Sequence, residues 1–317
     1  MIEDKRAGWK ALIALAPAMA FLLLFMFFPL FNTLIMSFLE RFRFKSGGGL
    51  FAWNQSFQSI GFGEYLNVLR NPQFLTALKN AFILVIVSVP ISVSLSLLVA
   101  VALNKIKRLQ GLFQTIFFLP YVTNTIALGM VFKVMFSTNN GLINTILKAI
   151  GMAPVAWLTD ATAAGYWSAL AVITIYTVWN GMAFKILVFL SGLQSIDKQY
   201  YQAAQLDNAS RARVFWRITV PLLSPMIAYV IITSFIGAFK SYTDVIAVFG
   251  AGDQVYGPPG SPFMWITVVG FIYKSLKGGL MLPGSLARAS AGSVILLIII
   301  LFFTVIQLWV SKKKVHY

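Results

Sequence analysis

Long apolar runs separated by short polar segments organise this chain. A helix needs about 20 predominantly apolar residues to cross a bilayer core, and six stretches reach that length: 11–36, 80–103, 112–132, 166–193, 221–249 and 289–310. The first run meets no charge before Glu40. A secretory signal has an apolar core of only about 7–15 residues, followed by a cleavage site in polar sequence. This run is longer and is expected to stay as a helix. The pattern therefore predicts an all-α integral membrane protein with six transmembrane helices.

The segments between the runs differ in character. Residues 40–72 contain "KSGGGL" and then "GFGEYLNVLRNPQF", a flexible turn leading into a short interfacial helix. Residues 137–164 contain "NNGLINTILKAIG", whose Leu142, Ile143, Ile146, Leu147 and Ile150 recur at helical spacing and predict an amphipathic helix at the interface. Residues 250–285 carry "GPPGSP", which forbids regular helix, and then "FMWITVVGFIYKSL", too short for a seventh span and expected as a buried or partly inserted helix.

Charge then orients the chain. Lysine and arginine in short loops are retained on the cytoplasmic side. With both termini inside, the inner segments hold Lys5, Arg6 and Lys10; Lys105, Lys107 and Arg108; Lys198, Arg211, Arg213 and Arg217; and Lys312, Lys313 and Lys314. Arg41, Arg43 and Lys45 run against the trend on the outer side. The expected organisation is a cytoplasmic N-terminus (1–10), a transmembrane domain (11–311) and a cytoplasmic tail (312–317). The net charge of +16 is spread between apolar spans rather than gathered into a stripe on a soluble domain. Anionic lipid and an acidic partner surface fit it better than nucleic acid.

The longest cytoplasmic segment, 194–220, is polar. Asp197 to Asp207 has helix formers behind an acidic start, Asn208 readily enters a left-handed turn, and a second helix can start near Ser210. Val214, Phe215 and Ile218 share a face of that helix, and Pro221 and Pro225 suit the first turns of the next span. Spacing alone leaves open an amphipathic helix held by anionic lipid.

The order "QAAQLDNASRARVFWRITVP" resembles the EAA signature of binding-protein-dependent ABC transporter permeases. Gln202, Ala203, Ala204, Asp207, Asn208, Ala209, Phe215, Ile218, Val220 and Pro221 stand at the matching positions. "LAPAMAFLLLFMFFPLFNTLIMSF", "GFGEYLNVLRNPQFLTALKNAF", "FFLPYVTNTIALGMVFKVMFSTNNGLIN" and "AWLTD" are similar, in order, to the first-permease type of the carbohydrate-uptake group. The resemblance implies that this segment is a coupling helix between spans 4 and 5, seated in a cleft of a cytoplasmic ATPase. The residues it assigns there are Tyr201, Gln202, Ala203, Ala204, Asp207, Asn208, Ala209, Ser210, Phe215, Ile218 and Pro221. Gln202 replaces the usual glutamate, which makes a contact there neutral and weaker. Asn208 replaces the usual glycine in the left-handed turn.

It further implies a multi-pass subunit of a bacterial-type cytoplasmic membrane. The partners expected are a second permease, two cytoplasmic ATPases and an extracellular solute-binding protein. ATP and magnesium belong to the ATPases, and no cofactor is expected on this chain.

A sugar site combines amides or hydroxyls with aromatic faces. Thr177, Asn180, Gly181 and Phe184 share one face of the fourth span, and Ser234, Gly237, Ala238 and Ser241 share one face of the fifth. These positions resemble those lining the sugar cavity of related permeases. Small and hydroxyl residues also serve helix packing, so that reading stays open. A mid-span amide is costly without a partner, which singles out Asn180. Lys240 and Asp244, four residues apart, are expected to pair on one face as a structural pair, with substrate contact as the alternative, while Lys133 and Lys185 lie near span ends and are expected to snorkel.

Other chemistry finds little support. The chain has no cysteine, and its one histidine, His316, sits next to the last residue. No GxxxxGK[ST] loop occurs, so ATP hydrolysis is expected on another chain. Nine acids scattered mostly over loops supply no paired catalytic carboxylates. An ion-coupled secondary transporter is the alternative; it needs midplane coupling groups, and Asp244 is the one acid near that depth.

Overall fold

The computed structural model describes residues 7–44, 55–106, 110–249, 256–277 and 284–314. Lys5, Arg6, "KSGGGL", Lys107, Arg108 and His316 lie outside the described residues, as do the side chains of Lys10, Lys313 and Lys314.

The first apolar run forms α1 (Ala7–Leu22), a π-helical turn (Leu23–Phe27) and α2 (Phe28–Ser37). Four two-residue strands follow, with β1 (Leu39–Glu40) paired to β4 (Ser59–Ile60) and β2 (Arg43–Phe44) to β3 (Gln55–Ser56). Next come α3 (Gly63–Leu69), α4 (Pro72–Lys105), α5 (Gln110–Val122), α6 (Thr125–Met135), α7 (Leu142–Ala149) and α8 (Ala163–Ser195). The polar segment holds α9 (Lys198–Leu206) and α10 (Arg211–Val214), continued by a π turn (Phe215–Thr219), α11 (Val220–Leu222), α12 (Ser224–Phe239) and α13 (Thr243–Phe249). α14 (Val268–Lys277) and α15 (Ser285–Lys314) complete the chain.

Among the described residues, four helical stretches are long and apolar enough to cross a membrane: Leu12–Ser37 (through the π turn), Pro72–Lys105, Ala163–Ser195 and Ser285–Lys312. Two further candidates are bent pairs, so six spans exist if each pair counts as one.

The runs 112–132 and 221–249, read from sequence as single helices, are broken. α5 and α6 meet at 97°. Asn124 leaves helical geometry there (ψ 118°), and its side-chain oxygen accepts from the amides of Ile126 and Ala127, capping the new helix. The second run bends by 69° at Leu223, just before Pro225, and unwinds again after Phe239. Hydropathy measures apolar length and is blind to such caps.

The chain divides into two compact units, Met1–Asn71 with Ile272–Ile295, and Pro72–Phe271 with Leu296–Tyr317. In the first, Phe42, Leu286 and Ala287 form a small core with Met36 and Leu39 against it. The carboxylate of Glu64 is buried there, accepting from the Arg41 amide at 3.3 Å and lying 4.0 Å from the Arg288 guanidinium.

In the second unit α4 packs along α8, with Ala77, Ala81, Leu84 and Val85 buried on one side and Ala169, Ile173, Tyr176 and Ile186 on the other. The amide of Asn80 ties three segments together. Its Nδ2 donates to the carbonyls of Met264 and Ile266, each at 2.9 Å, and its Oδ1 accepts from the Tyr166 hydroxyl at 3.1 Å. Tyr166 stacks on the buried Trp265 with ring centroids 4.4 Å apart. Asn144 does the same work for the α7 loop, bonding to Thr138, Val155 and Trp157. That pins α7 by its polar side and leaves Leu142, Ile146 and Ile150 exposed.

α6 and α13 approach closely at Gly129, where an added Cβ would overlap Ala247. Gly129→Val is expected to destabilise the detergent-solubilised protein by about 1–3 kcal/mol, since the neighbouring atoms are partly backbone and cannot move aside. Gly237 faces open space, and Gly237→Ala should leave the thermal melt unchanged. Equal melts for both variants would show that the approach is not tight.

Candidate functional site

A cavity of about 500 Å³ lies among α4, α5, α8, α12 and α13. Seven of the eight predicted path residues line it: Thr177, Gly181 and Phe184 from α8, Ser234, Gly237 and Ala238 from α12, and Ser241 from the break that follows. Asn180 is half-buried and does not line it. Helical geometry explains the difference. At about 100° per residue, positions 177, 181, 184 and 185 form one arc, and position 180 falls beyond its edge.

The cavity also holds residues that sequence reasoning did not assign to it: Ser88 and Ser92 of α4, Tyr121, Thr233, Lys185 and Asp244. Lys185 was expected to snorkel from a span end, but α8 continues to Ser195 and its ammonium donates to Ser92 Oγ at 2.5 Å. Lys133 does not snorkel either; it donates to the Phe249 carbonyl at 2.8 Å. The expected Lys240–Asp244 pair is absent, because α12 ends at Phe239 and the break destroys the i, i+4 relation. Lys240 is exposed, whereas Asp244 accepts from the Ser241 hydroxyl at 3.2 Å. Ser88 and Ser92, four residues apart on α4, are the sequence signal for this polar wall.

Three hydroxyl protons on the cavity wall are committed to their own helices, whereas the Ser234 hydroxyl makes no hydrogen bond. Ser88 donates to the Leu84 carbonyl at 2.6 Å, Thr177 to Thr174 at 3.1 Å and Thr233 to Tyr229 at 2.9 Å. The rings of Tyr121 and Phe184 stack with centroids 6.2 Å apart, presenting an aromatic surface.

The polar segment is built by local capping. Asp197 caps α9 by accepting from the Gln199 amide at 2.9 Å, and Asn208 takes φ +49° in the turn that follows. The Ala209 amide donates back to the Ala204 carbonyl at 3.0 Å, closing that turn. Ser210 caps α10 by accepting from the Arg213 amide at 3.3 Å, and Tyr201 meets Thr219 at 3.3 Å.

Of the residues assigned to coupling, Gln202, Ala203, Asp207, Asn208 and Ser210 are exposed. Tyr201, Ala209, Phe215, Ile218 and Pro221 are half-buried, and Ala204 is buried within the chain. Beside the exposed group stands Leu206, 86% exposed at the end of α9, with Tyr200 and Trp216 also exposed. Sequence spacing did not single out Leu206, because a leucine in an amphipathic pattern reads as core.

Residues 92–316 match the family described as binding-protein-dependent transport system inner membrane component. Two similar proteins are the lactose transport system permease protein LacF of Rhizobium radiobacter and the arabinooligosaccharides transport system permease protein AraP of Halalkalibacterium halodurans. LacF is 31% identical over 97% of this chain and 94% of its own length. AraP is 33% identical over 80% of this chain and 75% of its own. Among solved structures, a chain of a bacterial ABC transporter involved in import of the acidic polysaccharide alginate superposes with a TM-score of 0.76 at 21% identity, over 98% of both chains. That likeness carries the fold alone, an all-α membrane fold. The chain belongs to the binding-protein-dependent transport system inner membrane component family.

Proposed function

We propose that this chain is a permease subunit of an ATP-driven importer of a sugar or oligosaccharide. The observation that carries the reading is one cavity, walled by hydroxyls and a stacked aromatic pair, whose α8 and α12 walls are joined by the exposed α9–α10 loop. A force applied to that loop acts directly on both walls. Thr177, Gly181, Phe184, Ser234, Gly237, Ala238 and Ser241 form this chain's share of the substrate path, with Asn180 at its margin. A second permease supplies the facing half.

In this reading both termini and the loop are cytoplasmic, and the loop docks on one of two ATPase subunits. An extracellular solute-binding protein delivers the sugar. This chain performs no catalysis and binds no cofactor, and ATP with magnesium is held by the ATPases. Gln202, Ala203, Asp207, Asn208 and Ser210 make the exposed contact. Ala204, being buried, supports the turn instead of touching the partner.

The chain contains no cysteine, so engineered pairs can be cross-linked without background. Ala203→Cys and Ser210→Cys are each expected to cross-link to cysteines placed along the ATPase cleft. Failure of both in an assembled, transporting complex would overturn the docking.

A further inference from the structure

We infer that Lys185 and Asp244 are the specificity-determining pair of the cavity, selecting uncharged saccharides; the inference rests on the sugar reading above. The first support is the distribution of hydrogen-bonding capacity. Ser88, Thr177 and Thr233 spend their protons on carbonyls of their own helices, so toward a ligand they can only accept. An ammonium carries three donors and no acceptor. Lys185 commits one of them to Ser92, and the others are available to the cavity it lines. Asp244 is its complement. Its carboxylate accepts one bond, from Ser241, and the residue lines the same space. A sugar hydroxyl both donates and accepts, so a hydroxyl lying between these two groups can be satisfied by both.

The second support is charge balance. One cation and one anion line the cavity, and among the described residues no direct salt bridge joins them. An uncharged saccharide entering between them leaves the sum at zero. A uronate or other anionic sugar would pair with Lys185 but bring a second negative charge near Asp244, in a setting where water screens poorly. The Tyr121–Phe184 pair offers the flat apolar face that a pyranose or furanose ring presents on its other side.

The test uses the whole complex, with both permeases and both ATPases but without the binding protein, so that the binding protein's own selectivity is removed. Saturation-transfer NMR would compare lactose and arabinotriose, chosen after two of the relatives, with digalacturonate. In the unaltered complex the neutral probes are expected to bind at least about tenfold more tightly than digalacturonate. Asp244→Asn is expected to shrink that preference to roughly threefold or less. Lys185→Met should weaken the neutral probes about tenfold, and Lys185→Arg, which keeps the charge and donors, should restore most of the loss.

If all probes weaken by one common factor in every variant, the pair is merely structural and the inference fails while the sugar reading stands. An unaltered complex that binds none of the three probes overturns the sugar reading and the inference together. Co-purification of the ATPases with each variant verifies that it has folded.

Discussion

Leu206→Asp should nearly abolish uptake while the permease still folds. The side chain is 86% exposed at the C-terminal end of α9, beside the left-handed turn at Asn208, so it buries little surface against the described residues. Replacing it therefore costs the isolated subunit little. In the proposed complex it becomes an apolar anchor entering the ATPase surface. Truncating such an anchor typically costs about 2–4 kcal/mol, roughly 30- to 800-fold in association, and a buried unpaired carboxylate adds to that. Uptake and ATPase co-purification should fall together, with Leu206→Ile close to the unaltered protein. Normal uptake by Leu206→Asp would remove this residue from the contact. The same variant bears on Gln202: if an apolar knob carries the docking, a neutral residue where relatives of this type have an acid need not weaken coupling.

The largest loss of stability is expected at Asn80→Leu, and it requires no partner. The residue is fully buried and its amide is saturated, with both Nδ2 protons and Oδ1 engaged. Leucine has nearly the same volume but leaves the Met264 and Ile266 carbonyls without a donor and the Tyr166 hydroxyl without an acceptor. Each buried unsatisfied group costs about 1–3 kcal/mol, so a total of about 3–5 kcal/mol is expected, read as a lower melting temperature in detergent and a lower yield. Asn80→Asp should also fail, since carboxylate oxygens would face two carbonyls. A melt unchanged by Asn80→Leu would mean that the 256–267 segment is held by its aromatic packing alone.

How the cavity was legible depended on residue type. Thr177, Gly181, Phe184, Ser234, Gly237, Ala238 and Ser241 were readable because small and hydroxyl residues at helical spacing stand out against aliphatic spans. Lys185 and Asp244 are visible as charges, but the sequence sends Lys185 to a span end and pairs Asp244 with Lys240. Their roles depend on where α8 ends and where α12 stops, and both boundaries are set by caps and breaks that hydropathy does not register.

Leu206 could not be assigned from spacing at all, since exposure of an apolar side chain is a property of the folded surface. Asn144 was hidden inside a helix noticed only for its apolar face; in the structure its amide, not that face, does the anchoring.

Sequence by itself determined the membrane class, the position of the polar loop and the family, because apolar length and motif spacing are local quantities along the chain. Tertiary structure decided which runs are broken, which amides are buried and which charges meet in one cavity. Those outcomes arise from hydrogen bonds and packing between segments as distant as Asn80 and Ile266, and no local pattern records them.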